Sequence, residues 1–401
     1  MIRDLQLMKN ILPLFEKKIA VWGIGNKGRR LVEEIKAMGG GKNGIFLCDS
    51  NPGLWGECCM GHTILSPNGL QESIAAFGSQ NIVFLVTVIS MKAQDEILKR
   101  IEELYGDNVD VCTENAVEAA IYLNLMNPCI DGEYRKKKLV EHEINRLCND
   151  DALRQKEDAF KYFSFLPLHE DEIIIVYQKG KVASSSVYYS IKKYNRNVLH
   201  SHTLAEIGNT DEDLSKLLNL KSGKIITLVR DPVARRISEM WQNISNWPRY
   251  SVKVDFNEIE QYYFKKGFEK GDMEWFDEQI KRFFKINIFD YPFDIESGYS
   301  IVKQGNIEIL LIKMEKLSEL EDVIGEFLGI KDFKLQKNNI GEEKPYRFAL
   351  QEYKKSFSLS QEELENIYYK FVYTRYFYSE EERRDFYNKW VNKQYGQGKW
   401  K

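Results

Sequence analysis

The chain of 401 residues exceeds the length of one typical domain and is long enough for two buried cores. Its formal net charge of −3 at pH 7 gives no general affinity for nucleic acid. No apolar run approaches the roughly 18 residues that cross a membrane, and the start of the chain lacks the pattern of a signal peptide. Six cysteines without C-x-x-C spacing fit reduced thiols. We therefore expect a cytoplasmic protein without a transmembrane segment.

The first third of the sequence has the pattern of a dinucleotide-binding unit. Gly23, Gly25 and Gly28 follow an apolar run and open a predicted helix, and Asp49 stands 21 positions after the third glycine. This spacing matches the fingerprint G-x-G-x-x-G with its acidic partner. The sequence therefore predicts a Rossmann-like domain over residues 1–125. The apolar runs expected to form its strands are 18–22, 45–47, 82–88 and 109–112.

Two interpretations of this glycine loop stay open. The three glycines and Asp49 would hold NAD or a sugar nucleotide, as the fingerprint predicts. Alternatively, the glycines only permit close packing of a helix against a strand. No catalytic set for hydride transfer accompanies the loop.

A helical linker is predicted for residues 126–165. It contains the basic run Arg135–Lys138, which we interpret as a solvated helix face. The run would also permit peripheral contact with an anionic membrane, although so few charges make a weak anchor.

The second predicted domain, residues 166–401, begins with an anion site. The unbroken apolar run 173–176 suits a parallel strand buried on both faces, and a turn with three serines leads into a predicted helix. Backbone N–H groups of about 182–186 would face an anion at the start of that helix, with Lys181 at the mouth of the site. The alternative is a serine-rich helix cap with a solvated lysine.

This loop differs from a Walker A motif. That motif places its lysine directly before the Ser or Thr, whereas Val182 and Ala183 intervene here. A magnesium nucleoside triphosphate is therefore not the first choice of ligand.

A second strand with a charged end follows at 224–229. Arg230 falls at its carboxyl end, where open α/β sheets bind ligands. We expect Asp231 to cap the next helix and Pro232 to take its first position. Ser238 lies about two turns into that helix, so Arg230 and Ser238 are expected to reach one phosphate, the arginine through a bidentate fork.

These two motifs resemble the sulfotransferases that use 3'-phosphoadenosine 5'-phosphosulfate (PAPS). The likeness is strongest to the bacterial branch described as putative capsular polysaccharide synthesis proteins, and it extends over about residues 166–390. It rests on Y-Q-K-G-K-V-A-S-S-S-V-Y at 177–188 and I-I-T-L-V-R-D-P-V-A-R-R-I-S at 225–238. The later stretches that agree are 310–317, 327–330 and 376–382.

By position, the resemblance implies a donor site. Arg230 and Ser238 would hold the 3'-phosphate, and Lys181 would stabilise charge on the bridging oxygen as the bond to sulfur breaks. The residues that would hold the 5'-phosphosulfate are Lys181, Val182, Ala183, Ser184, Ser185 and Ser186.

One position departs from the family pattern. Ala183 stands where the family more often has glycine, and a methyl group there is expected to require a negative φ. The family's late contact to the 3'-phosphate has no clear match, and the unassigned candidates are Lys337, Lys344 and Arg347.

Transfer to a hydroxyl needs a general base, and a histidine with pKa near ~6.5 suits neutral pH. His200 and His202 lie at the end of the predicted second strand of this domain, and other sulfotransferases place a histidine base in that neighbourhood. His202 is preferred because it lies nearer the carboxyl edge, although either histidine is equally well explained as structural. Zinc is set aside because no further His or Cys lies near the pair in sequence. The reserve bases are Glu206, Glu239 and Glu315.

Aromatic residues become frequent after about residue 240. Such rings suit a wall on which a sugar stacks, but more often they belong to the core. Trp241, one turn beyond Ser238, is the candidate for such a wall.

The sequence thus predicts an α/β protein with a Rossmann-like domain and a P-loop-type sulfotransferase domain with a parallel sheet and C-terminal helices. The predicted reaction moves a sulfuryl group from PAPS to a hydroxyl, without a metal and with His202 as base. The resemblance implies a capsular or other surface carbohydrate as acceptor. The alternatives are a nucleotide-dependent kinase or phosphotransferase and a non-catalytic scaffold in polysaccharide assembly. The sequence does not indicate an oligomeric state.

Overall fold

The computed structural model describes residues 2–88, 90–148, 173–194, 196, 198–202, 223–244, 255–265, 274–336, 344 and 346–391. They form two mostly parallel sheets with many helices, so the predicted mixed α/β class is confirmed. The chain divides into two compact units. Unit 1 comprises Met1–Asn149, Trp241–Gln261 and Glu342–Lys354, and unit 2 comprises Asp150–Met240, Tyr262–Gly341 and Lys355–Lys401.

Unit 1 contains a six-stranded sheet. Its strands are β1 (Lys18–Trp22), β2 (Ile45–Cys48), β3 (Cys58–Cys59), β4 (His62–Leu65), β5 (Ile82–Val86) and β6 (Asp110–Thr113). They lie in the order β3–β4–β2–β1–β5–β6, and every neighbouring pair is parallel except β3 with β4. All five residues of β5 are buried, as expected for a parallel strand covered on both faces.

Helices flank this sheet on two separate apolar cores. Ser66 and Ser90 cap the helices Pro67–Ile74 and Met91–Tyr105 by accepting the N–H groups of Gly69 at 3.0 Å and Ala93 at 3.4 Å. The helices are α1 (Asp4–Lys9), α2 (Pro13–Glu16), α3 (Asn26–Ala37), α4 (Pro67–Ile74), α5 (Met91–Tyr105), α6 (Glu114–Leu123) and α7 (Gly132–Cys148). The short 3₁₀ turns are Pro52–Leu54, Ala75–Phe77 and Ser79–Asn81.

The predicted linker contributes α7, whereas residues 149–165 lie outside the described residues. All four residues of its basic run make contacts within unit 1. Lys138 donates to Glu34 on α3 at 2.9 Å, and Arg135 donates to the carbonyl oxygens of Asn127 and Ile130 at 2.8 and 3.0 Å. Lys136 and Lys137 pair with Glu133 and Glu141 on the same helix at 2.7 and 3.9 Å, so all four cations have contacts inside the unit.

Unit 2 contains a five-stranded sheet. Its strands are β7 (Ile173–Tyr177), β8 (Val198–Ser201), β9 (Gly223–Val229), β10 (Tyr299–Gln304) and β11 (Ile307–Lys313). They lie in the order β10–β11–β9–β7–β8, and only the edge strand β10 is antiparallel to its neighbour. Because β8 and β9 flank β7 in parallel, the loops that follow these three strands leave from the same edge.

The predicted strands at 173–176 and 224–229 and the helices after them are confirmed. The helices of this half of the chain are α8 (Ser184–Lys193), α9 (Pro232–Ile244), α10 (Phe256–Lys265), α11 (Arg282–Phe284), α12 (Glu321–Leu328), α13 (Arg347–Ser356), α14 (Gln361–Glu365), α15 (Val372–Phe377) and α16 (Glu380–Val391). The π-helical segments are Phe276–Lys281 and Asn366–Lys370, and the 3₁₀ turns are Ile288–Asp290 and Met314–Glu319.

Trp241 belongs to the core. It is completely buried and its ring packs against Phe256 and Tyr353 at 5.9 and 5.6 Å between centroids. A ring without exposed surface cannot form a wall for a sugar, so that candidate role is wrong.

Among the helices of the described ranges, none has both the length and the apolar character that would let it cross a membrane.

Asp4 joins α1 to the end of β6 inside unit 1. Its Oδ1 accepts the N–H of Thr113 at 2.7 Å and its Oδ2 accepts the Thr113 hydroxyl at 2.8 Å. The residue is 1% exposed. Burial raises the pKa of its carboxyl to about 7, although both bonds from Thr113 act in the opposite direction. The folded protein therefore holds a proton that an unfolded aspartic acid releases near pH ~3.9.

We predict that this proton makes the free energy of unfolding fall as pH rises. A folded pKa above the unfolded value gives stability that is complete below the unfolded pKa and is lost as pH rises through 7, about 1.4 kcal/mol of it between pH 6 and 8. The Asp4→Asn variant has no titrating proton at this position. Its free energy of unfolding should therefore fall by about 1.4 kcal/mol less between pH 6 and 8 than that of the wild type. Urea unfolding at both pH values measures the difference. Asp385→Asn, at an exposed carboxylate, is the control, and equal pH dependence in Asp4→Asn and wild type would contradict the assignment.

Candidate functional site

The loop between β7 and α8 has two residues in the left-handed backbone region. Lys181 has φ of 74° and Ala183 has φ of 64°, and Ala183 is the N-cap residue of α8. The expectation of a negative φ at Ala183 is wrong. An L-residue pays roughly 1–2 kcal/mol for this conformation, which explains in physical terms why glycine would suit the position.

The start of α8 presents backbone donors. The N–H groups of Val182, Ala183, Ser184 and Ser185 have no acceptor among the described residues. The N–H of Ser186 differs, because it donates to the carbonyl oxygen of Ala183 at 3.0 Å. Four of the five predicted donors thus remain at the N-terminus of a ten-residue helix, a position that attracts anions.

The hydroxyl of Ser184 faces a half-buried histidine. Nε2 of His200 lies 2.9 Å from the Ser184 hydroxyl oxygen and 3.3 Å from Nε2 of Gln178, and the imidazole stacks on Tyr188 at 5.3 Å. Burial lowers the pKa of His200 to about 4, and the charge of His202 adds to this effect. His200 is therefore neutral at pH 7, with its Nε2 engaged inside the protein.

His202 follows β8 directly and lies against the loop after β7. Its Nδ1 is 3.0 Å from the carbonyl oxygen of Gln178. Because a carbonyl only accepts, Nδ1 carries the proton and the lone pair of the neutral ring is on Nε2. The ring packs closely on the loop, since a Cβ built on Gly180 would be 3.6 Å from Nε2. Trp275 donates its indole N–H to the His202 carbonyl at 2.7 Å.

Arg230 joins the two predicted phosphate-binding motifs. Its Nη1 donates to the carbonyl oxygen of Lys181 at 3.0 Å. Its backbone is fixed by Tyr373, whose hydroxyl accepts the Arg230 N–H and donates to the Arg230 carbonyl, both at 3.1 Å. Burial lowers the pKa of Arg230, but an arginine stays charged at neutral pH.

Asp231 caps α9 and Pro232 opens it, as predicted. Oδ1 of Asp231 accepts the N–H of Val233 at 3.1 Å and the Tyr368 hydroxyl at 2.6 Å. Oδ2 accepts the N–H of Ala234 at 3.3 Å and the Trp390 indole N–H at 3.2 Å. No local sequence pattern marks Tyr368, Trp390 or Tyr373 as part of this site, because each lies more than 130 positions from its partner.

Ser238 is half-buried on α9. Its hydroxyl makes no hydrogen bond to another residue of the described ranges, including Arg230. Its predicted role at the 3'-phosphate stays a prediction.

The reserve bases have structural partners. Glu239 pairs with Arg235 at 3.0 Å. Glu315 accepts the N–H of Asp231 at 2.9 Å and the Tyr378 hydroxyl at 3.3 Å, and burial raises its pKa. Glu206 lies outside the described residues.

The two described candidates for the late phosphate contact, Lys344 and Arg347, both belong to unit 1. Arg347 pairs with Asp95 on α5 at 2.7 Å within unit 1. Lys344 lines a cavity of unit 1, and Lys337 lies outside the described residues.

In the glycine loop of unit 1, the backbone conformation requires glycine at position 23, and the close packing requires it at position 28. Gly23 has φ of 107°, and a Cβ on Gly28 would be 2.0 Å from the Gly23 carbonyl oxygen. Gly25 has open space beside it. Asp49 accepts the N–H groups of Ile24 at 2.6 Å and Asn51 at 2.8 Å. The carboxylate therefore holds the loop itself, which suits the packing interpretation, while the space at Gly25 leaves room for a ligand.

The family comparison covers only part of the chain. Residues 251–379 match the model of a family described as "Putative capsular polysaccharide synthesis protein". This segment includes the resembling stretches 310–317 and 327–330 but begins after Ser238, so it contains neither of the predicted phosphate-binding motifs. The match supports the capsular branch of the resemblance. No curated protein and no solved structure matches the chain.

We predict that Ala183→Gly raises the free energy of unfolding by about 0.5–1 kcal/mol. Relief of the left-handed strain exceeds the extra entropy that glycine loses on folding. The matched control is Ala119→Gly in the interior of α6, which should lower the free energy of unfolding by about 1 kcal/mol. Urea denaturation measures both, and a loss of stability in Ala183→Gly similar to that in Ala119→Gly would contradict the backbone assignment.

We also predict that His200 does not titrate between pH 8 and pH 5. Its lowered pKa of about 4 means that it takes a proton only under acid conditions, so the stability it contributes is lost as pH falls from ~6.5 toward that value. NMR of the imidazole carbon-bound protons, assigned with His200→Phe, measures the midpoint. A midpoint near that of an exposed histidine would show that the ring is not buried as described.

Proposed function

We propose that the protein is a PAPS-dependent sulfotransferase that modifies a hydroxyl of a capsular or other surface polysaccharide or its precursor. The observation that carries this proposal is the contact between the Arg230 guanidinium and the Lys181 carbonyl oxygen at 3.0 Å. It joins two motifs that were identified independently in the sequence. The motifs follow the neighbouring parallel strands β7 and β9. The chain adds β8 on one side of β7 and then β9 on the other, so the strand order reverses between β7 and β9. Open α/β sheets bind ligands at such a point.

The two halves of this site suit the two anionic ends of the donor. The N–H groups of residues 182–185, the α8 dipole and Lys181 would bind the 5'-phosphosulfate. Arg230 would bind the 3'-phosphate, because its other guanidinium N–H groups meet no acceptor among the residues described. A guanidinium presents five donors in a planar fork, so one internal bond leaves it able to hold a phosphate.

The proposed reaction begins at the acceptor hydroxyl. Nε2 of His202 takes the hydroxyl proton, and the oxygen attacks sulfur in line. The bond between sulfur and the bridging oxygen of the donor breaks, and its electron pair stays on the 5'-phosphate. Lys181 stabilises the negative charge that develops there.

The contacts of the two histidines favour His202 as the base. The Gln178 carbonyl fixes the tautomer that leaves the lone pair on Nε2. His200 has its Nε2 engaged with Ser184, and its lowered pKa makes it a weak base. In this proposal His200 orients Ser184 and the loop, while His202 contacts the acceptor.

The proposal includes the fold assignments. The strand order β4–β2–β1–β5–β6 of unit 1 corresponds to the order 3-2-1-4-5 of the doubly wound dinucleotide-binding fold. We therefore propose a Rossmann-like unit 1 and a P-loop-type sulfotransferase unit 2.

We predict that the protein binds 3'-phosphoadenosine 5'-phosphate in metal-free buffer and more tightly than ATP. Lys181→Ala and Arg230→Ala should each weaken binding about 10-fold or more, because each removes a charged hydrogen-bond donor worth about 1.5–3 kcal/mol. Isothermal titration calorimetry measures both ligands. Lys331→Ala and Arg375→Ala, at exposed residues outside the site, are the matched controls.

The same titration separates the alternatives. A requirement for magnesium together with a preference for ATP would favour a kinase or phosphotransferase. A folded protein that binds neither ligand would overturn the donor site and favour the scaffold. Unchanged binding in both alanine variants would place the nucleotide elsewhere.

A further inference from the structure

Unit 1 contains a cavity of about 470 Å³ whose lining residues have no role in the proposed reaction. All of its lining residues belong to unit 1, on α1, on α6, at the end of α9 and at positions 344–349. Its volume lies within the range of roughly 300–1,000 Å³ that is usual for small-molecule sites.

Three of the four neutral polar side chains that line this cavity have no hydrogen-bond partner among the described residues. They are Asn115 and Tyr122 on α6 and Tyr346 just before α13. Each is half-buried, and none bonds to another residue of the part of the chain that the structure describes. Burial raises the pKa of both phenols, so they stay protonated at neutral pH. The cavity therefore offers neutral donors and acceptors that a ligand would satisfy.

The charged groups at the cavity are compensated by the protein. The Asp4 carboxyl accepts both bonds from Thr113, and Glu118 pairs with Arg30 on α3. Lys344 also interacts with other residues of the chain. None of these groups requires a ligand of opposite charge, so an uncharged ligand suits the cavity best.

Except for Gln242, which interacts with other residues of the chain, the remaining lining is apolar. Small side chains from two helices face the space, Ala116 and Ala119 from α6 and Ala349 from α13, together with Met8 and Ile244. A ligand that combines apolar faces with several neutral hydroxyl groups matches this lining. Pyranose sugars have this combination, because their C–H faces pack on apolar walls and aromatic rings while their hydroxyls need donors and acceptors.

We propose that this cavity binds an uncharged sugar unit, a hexose or an N-acetylhexosamine. Residues 344, 346 and 349 of its lining lie within the segment that matches the capsular polysaccharide family, so that segment contributes one wall. The proposal does not require sulfuryl transfer, since the cavity contains none of the residues assigned to the donor.

The test uses the full-length protein and the methyl glycosides of glucose, galactose and N-acetylglucosamine as probes, with glucuronic acid and adenosine for comparison. Saturation-transfer NMR and calorimetry at millimolar concentrations should detect binding of at least one neutral glycoside. Tyr346→Phe and Asn115→Leu should each weaken it about 3- to 10-fold, since each removes a neutral hydrogen bond. Ala119→Phe fills the space and should abolish binding.

Matched controls separate this site from the proposed donor site. Tyr369→Phe, at an exposed tyrosine outside the cavity, should leave glycoside binding unchanged, as should Lys181→Ala. If Ala119→Phe does not fold by circular dichroism, Tyr346→Phe decides, because it removes only one hydroxyl group. The proposal is overturned if folded wild-type protein binds no neutral glycoside, if glucuronic acid binds more tightly, if adenosine displaces the bound glycoside, or if the cavity variants bind as wild type does. Nucleotide binding that persists in such a case would leave the sulfotransferase proposal standing.

Discussion

The buried carboxylate of Asp231 is the interaction on which the arrangement of unit 2 depends. It is 2% exposed and accepts hydrogen bonds from the first turn of α9, from Tyr368 and from Trp390. A buried charge without partners costs several kcal/mol, so loss of any of these hydrogen bonds is unfavourable. The bonds therefore hold the end of β9, the start of α9 and the C-terminal segments with Tyr368 and Trp390 together. Arg230 is the adjacent residue, and its backbone is fixed in turn by Tyr373. The guanidinium therefore leaves β9 from an anchored position beside the loop after β7.

The loops that follow β1 and β7 differ in which backbone groups are bound by side chains: an N–H group in the first loop and two carbonyl oxygens in the second. In unit 1, Asp49 accepts the N–H of Ile24 and so occupies a donor of the glycine loop. In unit 2, His202 and Arg230 donate to the carbonyl oxygens of Gln178 and Lys181. These bonds hold the acceptors of the loop and leave N–H donors at the start of α8, which is the arrangement that anion binding needs. This difference supports placing the proposed donor site in unit 2 rather than in unit 1.

The division into units does not follow the order of the chain. Segments 241–261 and 342–354 belong to unit 1, although they follow the first strands of unit 2 in sequence. The segment matched by the capsular polysaccharide family spans both units. It contributes Tyr373 behind Arg230 and Tyr346 beside the cavity of unit 1. One family-matched stretch therefore supports both the proposed donor site and the proposed sugar site.

The sequence by itself determined the two α/β halves, the strands before both predicted phosphate-binding motifs, and the cap that Asp231 and Pro232 give to α9. These features follow from apolar runs and capping residues that are neighbours in the chain. Only the tertiary structure decided the positive φ of Ala183, the contact of Arg230 with Lys181, the tautomer that Gln178 sets on His202, and the core position of Trp241. Burial and hydrogen-bond partners depend on residues far apart in sequence, such as Asp231 and Trp390, which are 159 positions apart, and no local pattern encodes such a pair.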